Sequence, residues 1–254
     1  MANPTPLSNQ DELNEPGTTD DASSTVSSLS YDFDLGEEDA RKLDDILKES
    51  NETTVLSHEL QISHVRNIVG DEYLSDIDIR LFFNMTERER EGMVVGAPPD
   101  WGVCILSEDF DIGFGELMEE RGCTPDRFQR LLVPFCKDQH WTLAIIGGSE
   151  HAIFYYNSKS RNDATIVSAL GTWVGTVLGP WLGTTVTWSI HTMQAVQQSD
   201  ASSGGAYVCA FAYVARDGRK IEEHFPLNAG PKLRRWFACA LDTDGESAGM
   251  DLFE

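Results

Sequence analysis

The sequence is poor in positive charge. Its 254 residues include 19 Lys and Arg against 42 Asp and Glu, a net charge of −23. That argues against nucleic acid as a partner, because phosphate is held by Lys and Arg. Cysteine is sparse: Cys104, Cys123, Cys136, Cys209 and Cys239 make an odd number, and no two are spaced Cys-x-x-Cys. A disulfide scaffold and a zinc finger are therefore not expected, and a reducing compartment is. The pairs His58/His64 and His151/His191 have neither helical i, i+4 spacing nor Cys partners, so neither a metal nor a cofactor is expected. No apolar run reaches membrane-spanning length. The longest candidate, 164–182, is broken by Gly and Pro, so no membrane association is expected. The first 30 residues lack a basic segment followed by an apolar one, so no secretory signal is read and nucleus or cytoplasm is the expected location.

An apolar content of 41% is enough for one core, and the length fits one domain with tails. Residues 1–52 carry 14 Asp and Glu against 3 Lys and Arg and read as a disordered acidic tail with a short amphipathic helix over 38–49. A domain is expected over 53–241, followed by a second acidic tail, 242–254. Within the domain, 56–68 reads as a first element. A helix over 77–91 follows, capped at Leu74-Ser75-Asp76, with Ile77, Leu81, Phe82 and Met85 inward. Pro98-Pro99-Asp100 marks a loop over 96–101, and a helix is read over 114–121. Strands are expected at 142–146, 152–156 and 184–190, and an apolar helix at 164–182 interrupted by Gly171 and Gly175. A last helix over 231–241 turns Leu233, Trp236 and Phe237 inward. Strands grouped in the middle with helices on both sides imply an α+β class.

The stretch from Gln197 to Cys209 is a polar, Gly-rich turn that feeds an apolar run. This is how a loop enters a buried helix whose first N–H groups are left free, an arrangement suited to a thiolate or an oxyanion. His140-Trp141 opens one apolar run and Asn157 closes another. A His, an Asn and such a loop arriving from three segments is how a cysteine-protease site is built.

Four motifs then appear in order. Gln198 with Gly205, Tyr207, Val208 and Cys209 resembles the Gln…Asp-Cys-Gly-x-x-Val-Cys signature of the Ulp family, the proteases of SUMO and other ubiquitin-like proteins. His140-Trp141 resembles its His-Trp, Tyr155-Tyr156-Asn157-Ser158 its Tyr-Asp-Ser, and Tyr73-Leu74-Ser75-Asp76 its Trp-Leu-Asn-Asp. The resemblance covers roughly 60–236. It implies a papain-like α+β fold, a central mixed or antiparallel sheet flanked by helices. It also implies His140 as general base, Asn157 as its orienting partner and Gln198 as an oxyanion donor. Tyr73, Asp76 and Trp141 would then bind the tail of a ubiquitin-like modifier or its conjugates, with the chain acting as a monomer.

The sequence departs from that pattern at its centre. Gly204 stands at the nucleophile's position and Ser203 at that of the preceding Asp. Acyl transfer needs an attacking atom, and loss of a triad nucleophile removes on the order of 10⁶ in rate. Cys209, five residues further along a helix, is about 7.5 Å away along the axis. A Ser203 hydroxyl would miss the attacking geometry by something like the ~3.8 Å between neighbouring Cα atoms. Asn157 could still orient an imidazole, although it cannot offset an imidazolium. The expected function is that of an inactive protease domain that retains modifier binding. An active protease whose Cys is replaced in this sequence and a non-catalytic interaction module are the alternatives. Arg127, Arg130 and Lys137 are candidates for a local cationic patch facing an acidic modifier.

Overall fold

The computed structural model describes residues 33–57, 60–88, 94–110, 113–159, 163–221 and 229–242. The expected disorder of 1–30, the side chain of Met85, the charged stretch beyond Arg88 and the C-terminal tail from 243 lie outside them. A five-stranded mixed sheet forms the centre. Its strands are β3 (Val94–Gly96), β4 (Arg130–Lys137), β5 (His140–Gly147), β6 (Ala152–Tyr156) and β7 (Ser189–Met193), adjacent in that order. β4, β5 and β6 form an antiparallel meander, while β3 and β7 add in parallel at its two sides.

Both faces of the sheet are covered, which is why β4 and β5 read as nearly continuous apolar runs. Along β5 the side chains alternate. Trp141, Leu143 and Ile145 enter one core, and Ala144 and Ile146 the other. The first core lies under α1 (Glu37–Lys48), α2 (Ile62–Val69), α3 (Asp76–Arg88), α8 (Gly204–Arg216) and α9 (Gly230–Asp242). The second lies under α4 (Pro99–Leu106), α5 (Phe114–Glu120) and α6 (Ala164–Trp173). A π-helical turn, Val174–Leu178, and the short α7 (Gly179–Trp181) extend α6, and β1 (Val55–Ser57) and β2 (Leu60–Gln61) form a small hairpin before α2.

The helix expected over 38–49 is α1, and it is not a free tail. Phe33 and Leu43 are each 1% exposed inside the first core, and Asp44 pairs with Arg235 at 2.8 Å. Residues 33–52 therefore fold onto the body, and the boundary drawn at 52 falls inside the structure.

The element expected over 56–68 divides into hairpin and helix. α3 begins one residue early and turns a different face inward. Asp78, Ile79, Phe82 and Phe83 are buried, while Ile77 is 56% exposed. A reciprocal cap decides this. Asp78 accepts from Ser75 N and Oγ at 2.8 Å each, and Asp78 N donates to Ser75 Oγ at 3.3 Å.

The Pro98-Pro99 loop is a helix start, because Pro fits the first turn, where its missing N–H is not needed. The strand at 130–137 was not expected. Pro134 breaks its pattern, but it lies beyond the part of β4 that pairs with β3, where the ladder has one side only. Gly171 does not interrupt α6, whereas Gly175 lies inside the π-turn that follows it. The irregularity is the π-turn just before Pro180, where Gly179 N donates to Val174 O. The last strand runs 189–193 rather than 184–190, because pairing with β6 outweighs the local β-branched pattern.

Replacing Leu43 by Ala should lower the unfolding free energy by about 2–5 kcal/mol in urea titration. A loss too small to measure would mean that α1 does not belong to the folded unit.

Candidate functional site

The hairpin β5–β6 brings two of the expected residues to one end of the sheet. Its register pairs Leu143 with Tyr156, and continuing one step sets Asn157 across from Thr142. His140 and Thr142 share a face, since side chains alternate along a strand. His140 Nε2 lies 2.8 Å from Asn157 Oδ1. The same oxygen accepts from Lys159 N at 2.8 Å, which fixes the amide's orientation, because a backbone N–H needs an acceptor. Nε2 must then be the protonated nitrogen in neutral His140, and Nδ1 carries the lone pair.

That Nδ1 faces the start of α8. A Cβ built on Gly204 would lie 2.8 Å from Nδ1, 3.1 Å from Cε1 and 3.3 Å from Trp141 N. These distances are shorter than the ~3.5–4.0 Å at which non-bonded carbon atoms rest. The imidazole thus occupies part of the space that a side chain at Gly204 would need. Gly205 is equally confined, since its Cβ would lie 2.9 Å from Leu74 Cβ. Two consecutive glycines let the helix start come this close to β5 and to the segment before α3. As first-turn residues, their N–H groups have no acceptor within the helix. α8 is buried throughout, from Gly204 to Arg216.

The loop ahead of α8 is held from several directions. Gln198 accepts from Ser158 Oγ at 2.6 Å and donates through Nε2 to Asp200 O at 2.8 Å. A primary amide has two hydrogens, so this bond leaves donor capacity. Asp200 Oδ1 accepts from Ser202 N and Ser203 N at 2.9 and 2.6 Å. Ser203 is 2% exposed and its Oγ accepts from Arg234 Nε at 3.2 Å. Arg234, also 2% exposed, donates further to Ile68 O at 2.9 Å and Glu72 O at 2.7 Å. One buried guanidinium therefore ties the loop to the chain entering Tyr73. Asp200 and Arg234 were not singled out from the sequence, and Ser158 was given no role of its own. Ser158 closes the Tyr155-Tyr156-Asn157-Ser158 motif, whereas Arg234 lies in a basic run that reads as surface.

Trp141 is 2% exposed and donates through Nε1 to Leu74 O at 2.9 Å, so much of its ring is core. Tyr73, 41% exposed, offers the accessible aromatic surface beside it. Asp76 is exposed at the first turn of α3. Lys137 does not join Arg130 in the expected cationic cluster. Arg130 and Lys137 stand at opposite ends of β4, ~23 Å apart at ~3.3 Å per residue. Arg130 donates to Ala215 O and Lys137 pairs with Asp163, both at 2.8 Å.

No protein-family model and no curated protein matches the sequence. Solved structures do match. The Ulp1 protease domain in complex with Smt3, the yeast ortholog of SUMO, superposes with a TM-score of 0.72 at 18% identity, over 83% of this chain and 96% of that one. The chain has the fold of the Ulp1 protease domain. Ulp1 with its catalytic cysteine oxidised to a sulfinic acid matches at 0.72 and 19% identity, over 84% and 97%. The catalytic domain of the Ulp1-like SUMO protease of Chaetomium thermophilum matches at 0.67 and 18% identity, over 83% and 90%.

Within this Ulp1-type fold the remaining thiols are poorly suited to attack. Burial, followed by the Asp78 charge, pushes Cys209 well above the ordinary thiol range. Burial and then Asp76 push Cys136 up to about 11. The Ser203 hydroxyl faces Arg234 rather than His140.

Nitrogen NMR of neutral His140 should report the Nε2–H tautomer, and Asn157→Ala should mix the two forms. An Nδ1–H tautomer in the unaltered chain would refute the hydrogen-bond assignment. The Cys136 proton is held more tightly in the fold than in the unfolded chain, so stability associated with it should fall as pH rises from 9.0 towards about 11. Cys136→Ala should flatten that part of the stability curve, and an unchanged slope would remove the burial argument.

Proposed function

We propose that this chain is a Ulp-family pseudoprotease, which binds the C-terminal tail of a ubiquitin-like modifier, or a modified protein, without cutting it. The observation that carries this reading is the 2.8 Å separation between His140 Nδ1 and the place of a Gly204 Cβ. The ring is aimed at the nucleophile's position and partly fills it. His140 would have been the base and Asn157 its positioning partner. Gln198 and the Gly204–Gly205 N–H groups would be the donors to a tail carbonyl. Those donors remain useful to a binder, because the contacts that hold a tail are not the atom that attacks it. The Smt3 complex of Ulp1 supports a modifier as the partner.

Tyr73, Asp76 and Trp141 stand together beside that helix start and would line the tail's path. The cations Arg130 and Lys137 are already engaged within the fold, so an acidic modifier face would find no patch there. Recognition would rest on the tail and on the neutral and aromatic surface around Tyr73.

The intact His140–Asn157 pair favours a second reading, an active protease in which Gly204 replaces the Cys. One set of assays separates the two. The unaltered chain should bind a modifier ending in its mature tail, lose that binding when the tail is removed, and release no reporter amine from the modifier's C-terminus. Gly204→Cys should recover at most trace turnover, because His140 must first retreat. Turnover near the ordinary enzymatic scale of about 10 s⁻¹ in Gly204→Cys would establish the second reading. His140-dependent turnover by the unaltered chain, or failure to bind any such tail, would overturn the first.

A further inference from the structure

Behind the His140–Asn157 pair, between the sheet and the start of α6, lies a cavity of about 300 Å³. That is the small end of the range for ligand pockets, with room for on the order of ten waters at ~30 Å³ each. Thr142 of β5 and Tyr155 of β6 form part of its wall. They are 3% and 0% exposed, and neither Thr142 Oγ1 nor Tyr155 Oη has a hydrogen-bond partner among the described residues. Burial pushes the Tyr155 pKa up, and the nearness of Thr142 and Asn157 offsets this only in part, so the hydroxyl keeps its proton. A buried hydroxyl without a partner is costly, and two in one wall point to something that fills the space. The acceptors of the wall are already engaged. Asn157 Oδ1 receives His140 Nε2 and Lys159 N, and the Asp163 carboxylate receives Lys137 Nζ and the N–H groups of Thr165 and Ile166. Asp138 reaches the cavity too, but it is exposed to water on the β4–β5 turn. Donors remain. Lys159 Nζ gives one hydrogen to Ala201 O at 3.1 Å, and an ammonium has three. Ile166, 1% exposed, supplies an apolar side.

We propose that this cavity binds a small organic carboxylate. Its oxygens accept from Tyr155 Oη and Thr142 Oγ1 and face the Lys159 ammonium, while its short carbon body lies against Ile166. Spare donors outnumber spare acceptors in the wall, so a ligand that accepts is matched better than a cation. Hydrogen bonds to a charged acceptor are also about twice as strong as those to a neutral one. An inorganic oxyanion would satisfy the hydroxyls but leave the Ile166 side to water. The net charge of −23 does not exclude an anion, because exposed charges more than ~8 Å away are largely screened at 0.15 M salt. The site is distinct from the path of a modifier's tail. Nδ1 of the His140 ring faces Gly204, whereas Nε2 faces Asn157 in the cavity wall.

Calorimetric titration of the full chain with butyrate, butyramide and inorganic phosphate tests this. Butyrate should bind with a Kd below about 10 mM, at least about tenfold tighter than its neutral amide. Tyr155→Phe and Thr142→Val should each weaken butyrate by about tenfold, the loss expected for one hydrogen bond to a charged group. Without ligand, neither variant should melt below the unaltered chain, because each removes only a buried hydroxyl that has no partner. Should one of them fail to fold, the other still reports. Lys159→Met, at a half-buried position, should bring butyrate and butyramide to similar affinity. No binding of butyrate at 50 mM, roughly five times that Kd limit, would overturn the proposal. So would equal affinity for butyramide in the unaltered chain, or butyrate binding indifferent to the loss of either hydroxyl. Phosphate binding as tightly as butyrate would overturn it as well, since the carbon body would then play no part. No modifier is present in these titrations, so their outcome is independent of the tail-binding reading.

Discussion

The close approach of α8 to β5 is the constraint on which the site depends. The helix begins with two residues that have no side chain, one against the His140 ring and the other against Leu74. Any larger residue at Gly205 must displace Leu74, whose carbonyl also receives the Trp141 indole. Helix start, strand entrance and the segment before α3 are thus packed as one unit. The chemistry follows from that packing. An imidazole oriented by Asn157 through a 2.8 Å contact points at a position that holds only hydrogen.

Arg234 supports the same unit from behind. It is a buried cation that donates to the carbonyls of Ile68 and Glu72 and to Ser203 Oγ. Removing one member of such a network leaves buried polar groups without partners, which is more damaging than losing a surface pair. Burial and the lowering of its guanidinium pKa by desolvation fit a group enclosed by the fold rather than one offered to a partner. Neither Arg234 nor the Asp200 turn depends on a side chain at residue 204.

Much of the site was legible in the sequence because its parts are local. His140 opens an apolar strand, Asn157 closes the next, and a polar Gly-rich loop enters an apolar helix. Each is a pattern a few residues long, and β6 and the start of α8 fall where those patterns put them. Failures arose where distant contacts decide. Ile77 faces out because Ser75 and Asp78 cap each other and set the helix rotation. The strand through Pro134 was hidden because its tolerance for proline depends on where β3 ends. α1 read as part of a tail because its few apolar residues gain burial only against α9 and α2.

The sequence by itself determined the class of fold, the order of the motifs and the absence of a side chain at residue 204, since these are properties of residue type and spacing. Only the tertiary structure decided that the His140 ring leans into the space beside Gly204, that Arg234 is buried, and that α1 packs onto the body. Those facts depend on how strands and helices pack across long sequence separations, which no local pattern encodes.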